Sequence, residues 1–239
     1  MKFENTEVYG LKSALRGMRN PMNSWDKSDS KSVYSVMIND KDNLDFNHYL
    51  IGKNDMELAQ KLIRAGSEHR KFMRQIFISV DITAPLYWWK EFDTYKVGTV
   101  ANSTSTMHKL ATTEITLDCF ETDDITKDLL WDTQSECDVE NNFIPYLENL
   151  RIKYLNTQDK RYWKELIRWL PESWLQKRTV TMSYENLLVM CNKGQRRYHK
   201  LNEWSGQDDN TKTNFISWAR TLPYAQELIF IDEIEEISK

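Results

Sequence analysis

Hydrophobic and polar residues alternate most regularly at residues 76–82, which read IFISVDI. A period of two places the branched aliphatic side chains on one face of a β-strand and the remaining side chains on the other. An aromatic cluster with Trp88 and Trp89 follows, and then a run of short polar side chains at residues 102–108. Such side chains are common where a loop leads into a helix. The stretch therefore predicts a strand that leads into a site-forming loop or, more simply, into a solvated loop with a helix cap.

Similar patterns predict the other elements. Strands are expected at residues 2–9, 32–38 and 179–184, and helices at residues 11–18, 54–66, 125–131, 143–155, 159–170, 185–194 and 214–222. In the clearest helix, 54–66, Asn54 is expected to cap the first turn, with Glu57 as its capping-box partner and Gly66 at the end. Strands and helices are mixed along the chain, without a repeat or a long linker. This order predicts an α/β (α+β) fold, with a single domain over residues 1–239 and a mixed central sheet flanked by helices.

Composition narrows the range of functions. The chain has 239 residues, is 40% hydrophobic and contains nine Trp, which is enough for a sizeable core. Its formal net charge of −4 gives no global basic field, so no nucleic-acid partner is expected. No apolar run approaches the roughly 20 residues that span a bilayer, and the N-terminus lacks the core of a signal peptide. We therefore expect a cytoplasmic protein without a membrane partner.

Cysteine and histidine show no pattern typical of a metal site. The three cysteines lack metal-type spacing and are expected to be reduced thiols. The four histidines form no close pair in sequence, and the acidic residues between positions 121 and 140 lack the spacing of a calcium loop. We expect no metal.

Two further polar segments are candidates for ligand binding. His69 follows the predicted helix 54–66 directly, either as part of a site or as a solvated residue in a helix-end connector. Arg196 and Arg197 follow the predicted helix 185–194. Arginine offers phosphate a planar fork of donors, although cations are also favourable at the end of a surface helix.

Three separated blocks of the chain resemble the flavin-dependent thymidylate synthases. That family has a motif of the form RHRxxSxNExSxRY between a strand and a helix, and the motif falls on residues 95–108 here. Asn102 lies on the motif Asn and Ser105 on its second Ser. The Glu-His pair that the family places before a strand resembles Glu68-His69.

The third block of the resemblance lies further along the chain. The family carries an Asn that opens a helix, a second polar residue six positions later and an Arg eleven positions after the first. Asn186, Asn192 and Arg197 have this spacing. Together the blocks extend the resemblance over residues 58–197.

The chain departs from the motif mainly at its cations. The motif arginines fall on Tyr95, Val97 and Met107, and the motif His falls on Lys96. Each charge-assisted hydrogen bond lost in this way is worth about 1.5–3 kcal/mol, so several losses would weaken ligand binding by orders of magnitude without compensation. Lys96, Lys109 and Arg196 could substitute for the missing arginines.

The resemblance implies a chemistry. In that family a folate carries one carbon by way of flavin to the uracil ring of dUMP, NADPH reduces the flavin, and the active site lies between subunits of a homotetramer. It thus implies FAD as cofactor, methylenetetrahydrofolate and NADPH as co-substrates, and a methyltransferase of dTMP biosynthesis. The implied cofactor-binding residues are His69, Asn186 and Asn192; the implied substrate-binding residues are Ser105, Arg197 and Lys96, of which Ser105 and Arg197 are also the catalytic pair.

Two alternatives stay open. Because the motif arginines are replaced, the chain could be a non-catalytic nucleotide-binding protein on the same fold, which senses or sequesters its ligand. It could also be an interaction protein, with some of its Trp residues on a partner surface. Trp88 and Trp89 could stack on a ligand or, as aromatic residues more often do, pack in the core.

Overall fold

The computed structural model describes residues 1–39, 42–95, 97–122, 139–194, 196–207 and 212–237. The strands are β1 (Lys2–Tyr9), β2 (Lys31–Asn39), β3 (Asp42–Leu50), β4 (Phe77–Pro85), β5 (Val100–Ser103) and β6 (Leu175–Ser183). The α-helices are α1 (Leu11–Met18), α2 (Lys53–Arg64), α3 (Leu86–Phe92), α4 (Thr106–Lys109), α5 (Ile144–Thr157), α6 (Lys160–Arg168), α7 (Tyr184–Met190), α8 (Asn202–Ser205), α9 (Phe215–Ala219), α10 (Ala225–Leu228) and α11 (Ile231–Ile237). Short 3₁₀ or π turns occur at Asn20–Met22, Trp25–Lys27, Arg70–Gln75, Asp93–Tyr95, Leu117–Cys119 and Val139–Phe143.

The strands form two sheets. Four of them are hydrogen-bonded in the order β1-β4-β6-β5. Strands β2 and β3 form a separate antiparallel pair, with a register from Lys31 opposite Leu50 to Asn39 opposite Asp42. In β4 every second residue is buried, from Ile78 through Val80 and Ile82, as the alternation predicts. The predicted α/β fold class is thereby confirmed.

Several predicted elements are confirmed and others need correction. Strand β1 and helix α1 have the predicted bounds, but the predicted helix 185–194 ends at Met190. Strand β3 and helix α3 were not predicted, since β3 is too polar and α3 too aromatic for a clear period. The predicted Asn54 cap is wrong: Gly52 is at the N-cap of α2, and the backbone N–H groups of Asn54 and Asp55 donate to the Asp29 carboxylate. The predicted helix 125–131 lies outside the described residues.

The chain divides into two compact units. The first unit comprises Met1–Glu4, Asp81–Lys96 and Ala101–Val180, and the second comprises Asn5–Val80, Val97–Val100 and Thr181–Lys239. The prediction of one domain over residues 1–239 stays a prediction.

The core of the first unit has two parts. Helices α5 and α6 pack on the segment after α4, and their shared buried side chains are Leu110, Ile115, Phe120, Ile144, Leu147, Leu150 and Leu166. Trp88 and Trp89 pack edge to face with ring centroids 4.9 Å apart, and both are almost fully buried. The indole N–H of Trp89 donates to the Gln176 carbonyl at 3.0 Å. These two tryptophans therefore pack in the core, which corrects the idea that they form a ligand-stacking surface.

The core of the second unit includes a row of aromatic rings. Trp204 and Phe215 have centroids 4.9 Å apart, and Phe215 and Trp218 have centroids 5.5 Å apart. The Trp218 indole donates to Thr6 Oγ1 at 3.1 Å, which ties α9 to β1 within this unit. Buried aromatic surface of this size contributes strongly to stability.

Candidate functional site

Ser105 lies at the start of α4, where its side chain caps the helix. Its Oγ accepts a hydrogen bond from the His108 N–H at 3.3 Å. No described residue accepts a hydrogen bond from the Ser105 hydroxyl, so its proton is available for donation to a ligand acceptor. The polar run predicts this cap, and the helix cap is confirmed. Ser105 also lines a cavity of about 690 Å³ in the first unit, and the site-forming role of the loop stays a prediction.

The loop before α4 is held by a buried glutamine. Gln176 Nε2 donates to the Thr104 carbonyl at 3.1 Å, and the Thr104 N–H donates to the Lys177 carbonyl at 2.9 Å. Gln176 Oε1 in turn accepts from Arg178 Nε at 3.0 Å. The Arg178 guanidinium stacks 4.2 Å from the Trp89 ring centre, which fixes its position. The segment that carries Ser105 is thus held to β6 by hydrogen bonds.

Sequence reasoning missed Gln176. Its role depends on the pairing of β6 with the segment before α4. Gln176 precedes the predicted strand 179–184, and a single Gln there gives no local signal of that pairing.

His69 lies in the second unit, immediately before the 3₁₀ turn Arg70–Gln75. It lines a cavity of about 750 Å³ between α2 and the loop after α1. The apolar walls of the cavity include Met18, Leu58 and Phe72, and its polar lining includes Asn20 and Gln75. The lining also includes the charged residues Glu68 and Lys71. Apolar walls with a few polar groups are typical of small-molecule sites.

A buried ion pair holds the loop that forms one wall of this cavity. Arg19 Nε donates to Asp55 Oδ1 at 2.5 Å, and both residues are buried. The other oxygen, Asp55 Oδ2, accepts from the hydroxyls of Ser28 and Ser30 at 2.6 and 2.5 Å. The loop from Arg19 to Ser30 is therefore fixed at both ends by one carboxylate of α2.

Asn186 belongs to the capping box of α7. Its Oδ1 accepts from the N–H and hydroxyl of Ser183 at 3.0 and 2.8 Å, and its Nδ2 donates to the Val97 carbonyl at 2.6 Å. The amide has one N–H left after these bonds. Gly98, beside that carbonyl, has φ of +79°, a conformation that favours glycine.

Asn192 and Arg197 lie together after α7. The Arg197 N–H donates to the Asn192 carbonyl at 3.1 Å, and Asn192 lines a small cavity of about 270 Å³ in the second unit. Arg197 is buried, with only 7% of the residue's surface exposed. Its Nη2 lies 2.6 Å from Asp232 and its Nη1 2.9 Å from Glu233, and its Nε donates to the Cys191 carbonyl. The acidic helix α11 therefore already engages this guanidinium.

The predicted site residues are thus distributed among several places. Asn192 and Arg197 are brought together, while His69 lines a different cavity of the second unit and Ser105 belongs to the first unit. Lys96 lies outside the described residues. Val97 and Met107, which lie at two positions where the motif has arginine, are exposed.

The part of the chain that the structure describes shows neither a metal-binding cluster nor a membrane-spanning helix. Within the described ranges, no group of three or more His, Cys, Asp or Glu side chains lies close enough together to bind a metal ion. Among the helices that the structure describes, none is both long and apolar enough to cross a membrane.

Comparison with known proteins agrees with the fold. No protein-family model matches the chain, and no curated protein sequence matches it significantly. Among solved structures, it is similar to the flavin-dependent thymidylate synthase ThyX of Helicobacter pylori in complex with FAD and dUMP. The identity is 17%, the TM-score is 0.61, and the match covers 97% of this chain and 99% of that one.

A second structure of Helicobacter pylori ThyX, with FAD and dUMP, matches at 16% identity with a TM-score of 0.59 and covers 95% of both chains. At this level of identity the likeness establishes the fold. The chain has the fold of these thymidylate synthases over nearly its whole length.

Proposed function

We propose that this protein is a flavin-dependent thymidylate synthase-like enzyme that binds FAD and a pyrimidine nucleotide. One observation carries the proposal: the chain shares its fold, over nearly its full length, with two structures that hold FAD and dUMP. The order of the three resembling blocks supports it. Because a fold alone does not determine a reaction, the proposed chemistry depends on the residues of the site.

The cavity beside His69 fits a flavin ring. Its volume, apolar walls and scattered amide groups suit a planar heterocycle with polar edges. From the resemblance we assign His69, Asn186 and Asn192 to FAD; of these three, His69 lines this cavity, whereas Asn192 lines the smaller one and Asn186 caps α7. Bound flavin would supply the redox and one-carbon chemistry, while this chain binds and orients the cofactor and excludes water.

The nucleotide is assigned to Ser105, Arg197 and Lys96. Ser105 has a free hydroxyl proton for a ligand oxygen, since it only accepts in its cap. Arg197 can contact the nucleotide only by sharing or exchanging its carboxylate partners. In this proposal Ser105 and Arg197 orient and polarise the pyrimidine, which makes them the catalytic pair.

The full proposed reaction methylates dUMP with methylenetetrahydrofolate and NADPH, in a homotetramer whose subunits share the site. Purified protein would be incubated with FAD, dUMP, methylenetetrahydrofolate and NADPH, and the product identified by mass spectrometry. We expect dTMP, and we expect its formation to stop when FAD or the folate is omitted. If the protein binds FAD and dUMP and forms no dTMP, it is not a thymidylate synthase.

A second candidate is a nucleotide-binding protein on the same fold without catalysis. The engagement of Arg197 by Asp232 and Glu233 favours it, because a catalytic cation would then be occupied within the chain. Saturable binding of dUMP without turnover under the conditions above would support this candidate over the enzyme.

A further inference from the structure

The 3₁₀ turn Asn20–Met22 presents a polar and an apolar side chain to the cavity beside His69. Asn20 and Met22 both line this cavity. Met22 is 82% exposed, so a ligand in the cavity would cover apolar surface that is otherwise open to solvent. A thioether packs favourably against an aromatic ring. The turn therefore combines a hydrogen-bonding group with a contact surface for a ring.

Trp25 determines which way the Asn20 amide points. The indole N–H of Trp25 donates to Asn20 Oδ1 at 2.9 Å. An indole nitrogen can only donate, so it holds the carbonyl oxygen of the amide towards Trp25 and turns the Nδ2 group away from it. Among the described residues, none accepts a hydrogen bond from Asn20 Nδ2. The N–H donors of Nδ2 are therefore available to a ligand in the cavity.

The backbone around Asn20 is held by bonds that do not involve a ligand. Arg19 is buried in its pair with Asp55, and its Nη1 donates to the Ser24 carbonyl at 3.3 Å. The Ser24 N–H in turn donates to the Arg19 carbonyl at 3.3 Å. The Asn23 N–H donates to the Asn20 carbonyl at 3.1 Å. Because the turn is held before a ligand arrives, its amide can bind at a low entropic cost.

A second amide, that of Gln75, lines the same cavity. A Cβ at Gly17 would lie 2.8 Å from Gln75 Oε1, so the glycine leaves the room that this amide occupies. In the part of the chain that the structure describes, no hydrogen bond satisfies the Gln75 amide. An amide both donates and accepts hydrogen bonds. Together the two amides suit a ring edge on which a carbonyl and an N–H lie side by side.

We propose that Asn20 is a specificity-determining residue for the heterocycle bound beside His69: Trp25 positions its amide, Asn20 Nδ2 donates to a ring carbonyl, and Met22 packs against the ring. The proposal rests on the proposed function, in which this cavity holds FAD. The isoalloxazine ring of FAD carries carbonyl oxygens next to an N–H, whereas its adenine carries no carbonyl. The geometry therefore favours the flavin end of FAD over the adenine end in this cavity.

Flavin fluorescence titrations with FAD and with riboflavin test the role of Asn20, because riboflavin has the isoalloxazine ring but no phosphate and no adenine. We expect the wild type to bind both saturably, and riboflavin more weakly. Asn20→Asp keeps the acceptor for Trp25 and replaces the donor to the ligand with a carboxylate oxygen, so it should weaken both ligands by about tenfold to a hundredfold. Asn156 is exposed on α5 in the first unit, and Asn156→Asp is the matched control that should change neither affinity.

A double-mutant cycle tests the positioning role of Trp25. Trp25→Phe keeps an aromatic ring and removes the N–H, which releases the amide of Asn20. It should weaken FAD by about threefold to tenfold in the otherwise wild-type chain. In a chain that already carries Asn20→Ala, Trp25→Phe should have no further effect. An equal loss in both backgrounds would mean that Trp25 acts independently of Asn20, and it would refute the positioning role.

The outcomes separate the role of Asn20 from the proposed function. If the wild type binds neither FAD nor riboflavin, the proposed function fails, and the role of Asn20 fails with it. If the wild type binds FAD and Asn20→Asp binds it equally well, the role of Asn20 is refuted while flavin binding stands. That role is also refuted if Asn20→Asp weakens FAD but not riboflavin, or if the wild type binds FAD and not riboflavin, because recognition then lies in the adenosine diphosphate half.

Discussion

Arg197 shows how one residue can have a structural and a ligand-binding explanation. Its guanidinium contacts Asp232 and Glu233 and lies 5.4 Å from the Phe230 ring centre. Arg220 also contacts Glu233, and its hydrogen bond is the main reason that the pKa of the Glu233 carboxyl is lowered. In the described chain, Arg197 therefore anchors helix α11 to the end of α7.

Replacement of Arg197 measures this anchoring. Arg197→Ala removes the charged hydrogen bonds to Asp232 and Glu233. Asp232 keeps the Lys193 N–H and Glu233 keeps Arg220, so we expect a loss of about 2 kcal/mol in the free energy of unfolding. Urea denaturation would measure it. Arg168→Ala is the control, because Arg168 makes an exposed pair with Glu165 and its loss should not move the midpoint. Equal midpoints for Arg197→Ala and the wild type would contradict the anchoring.

At the residue scale, the polar run correctly predicted one helix cap, whereas the Asn54 cap and the long-range partners were not predicted correctly. The Ser105 cap could be predicted because a cap involves neighbours in sequence. The partners of Arg197 could not be predicted, since they lie 35 residues away in the acidic tail. Charge alone did not distinguish a ligand-binding arginine from a buried structural one.

Helix α5 is attached to the segment after α4 by polar bonds as well as by the core. Glu148 Oε2 accepts from the Ile115 N–H at 2.9 Å and from Arg151 Nε at 2.7 Å, and Arg151 Nη1 donates to the Ala111 carbonyl at 3.2 Å. The hydrogen bond from Arg151 is the main reason that the pKa of the Glu148 carboxyl is lowered. Both side chains are mostly buried.

The lowered pKa of Glu148 makes its contribution depend on pH. The carboxylate stabilises the fold above the unfolded-state pKa of about 4.3, and this stabilisation is lost as pH falls through the lower folded-state pKa. Glu148→Gln should therefore lose about 1.5 kcal/mol at neutral pH, with the difference from wild type closing in acid. Urea denaturation at a series of pH values from neutral to acidic would measure this difference in the free energy of unfolding between Glu148→Gln and the wild type.

Glu57→Gln is the control for this experiment, because Glu57 makes only an exposed pair with Lys53. A gap between Glu148→Gln and wild type that stays constant down to strongly acidic pH would exclude the charge of Glu148 as its cause.

The loop after α1 depends on Asp55 in a similar way. Asp55→Asn leaves the Arg19 guanidinium buried without a charged partner, and we expect a loss of about 3 kcal/mol in the free energy of unfolding. Because this loop forms a wall of the His69 cavity, FAD affinity should fall as well. Denaturation and flavin fluorescence would measure the two effects. Asp26 lies exposed in the same loop, and Asp26→Asn should change neither quantity. If Asp55→Asn binds FAD as tightly as the wild type, the loop does not contribute to the flavin site.

At the element scale, regular hydrophobic periods gave correct predictions. The alternation in β4 was read directly from the sequence, because one face of the strand is fully buried. The polar strand β3 and the aromatic helix α3 were missed, since tertiary pairing and packing, not a local period, determine them. The Asn54 cap was displaced because Asp29, distant in sequence, satisfies the first N–H groups of α2.

At the scale of the whole molecule, the chain has the fold of the two thymidylate synthase structures but lacks most cations of the motif that it resembles. An identity of 17% over nearly the full length still specifies the same arrangement of elements. Burial at core positions tolerates many apolar substitutions, whereas ligand binding depends on a few cations. The apolar positions of this chain form its core as the hydrophobic pattern predicts, whereas Tyr95, Val97 and Met107 lie where the motif has arginines, so the fold could be predicted with more success than the site.

Titration of the purified protein with FAD, followed by flavin fluorescence, tests the central claim most directly. His69→Ala removes a proposed contact, and exposed His108→Ala is the matched control. We predict saturable binding in the micromolar range, weakened at least about tenfold by His69→Ala and unchanged by His108→Ala. Absence of saturable FAD binding by the folded wild-type protein would contradict the claim that this chain is a flavoprotein.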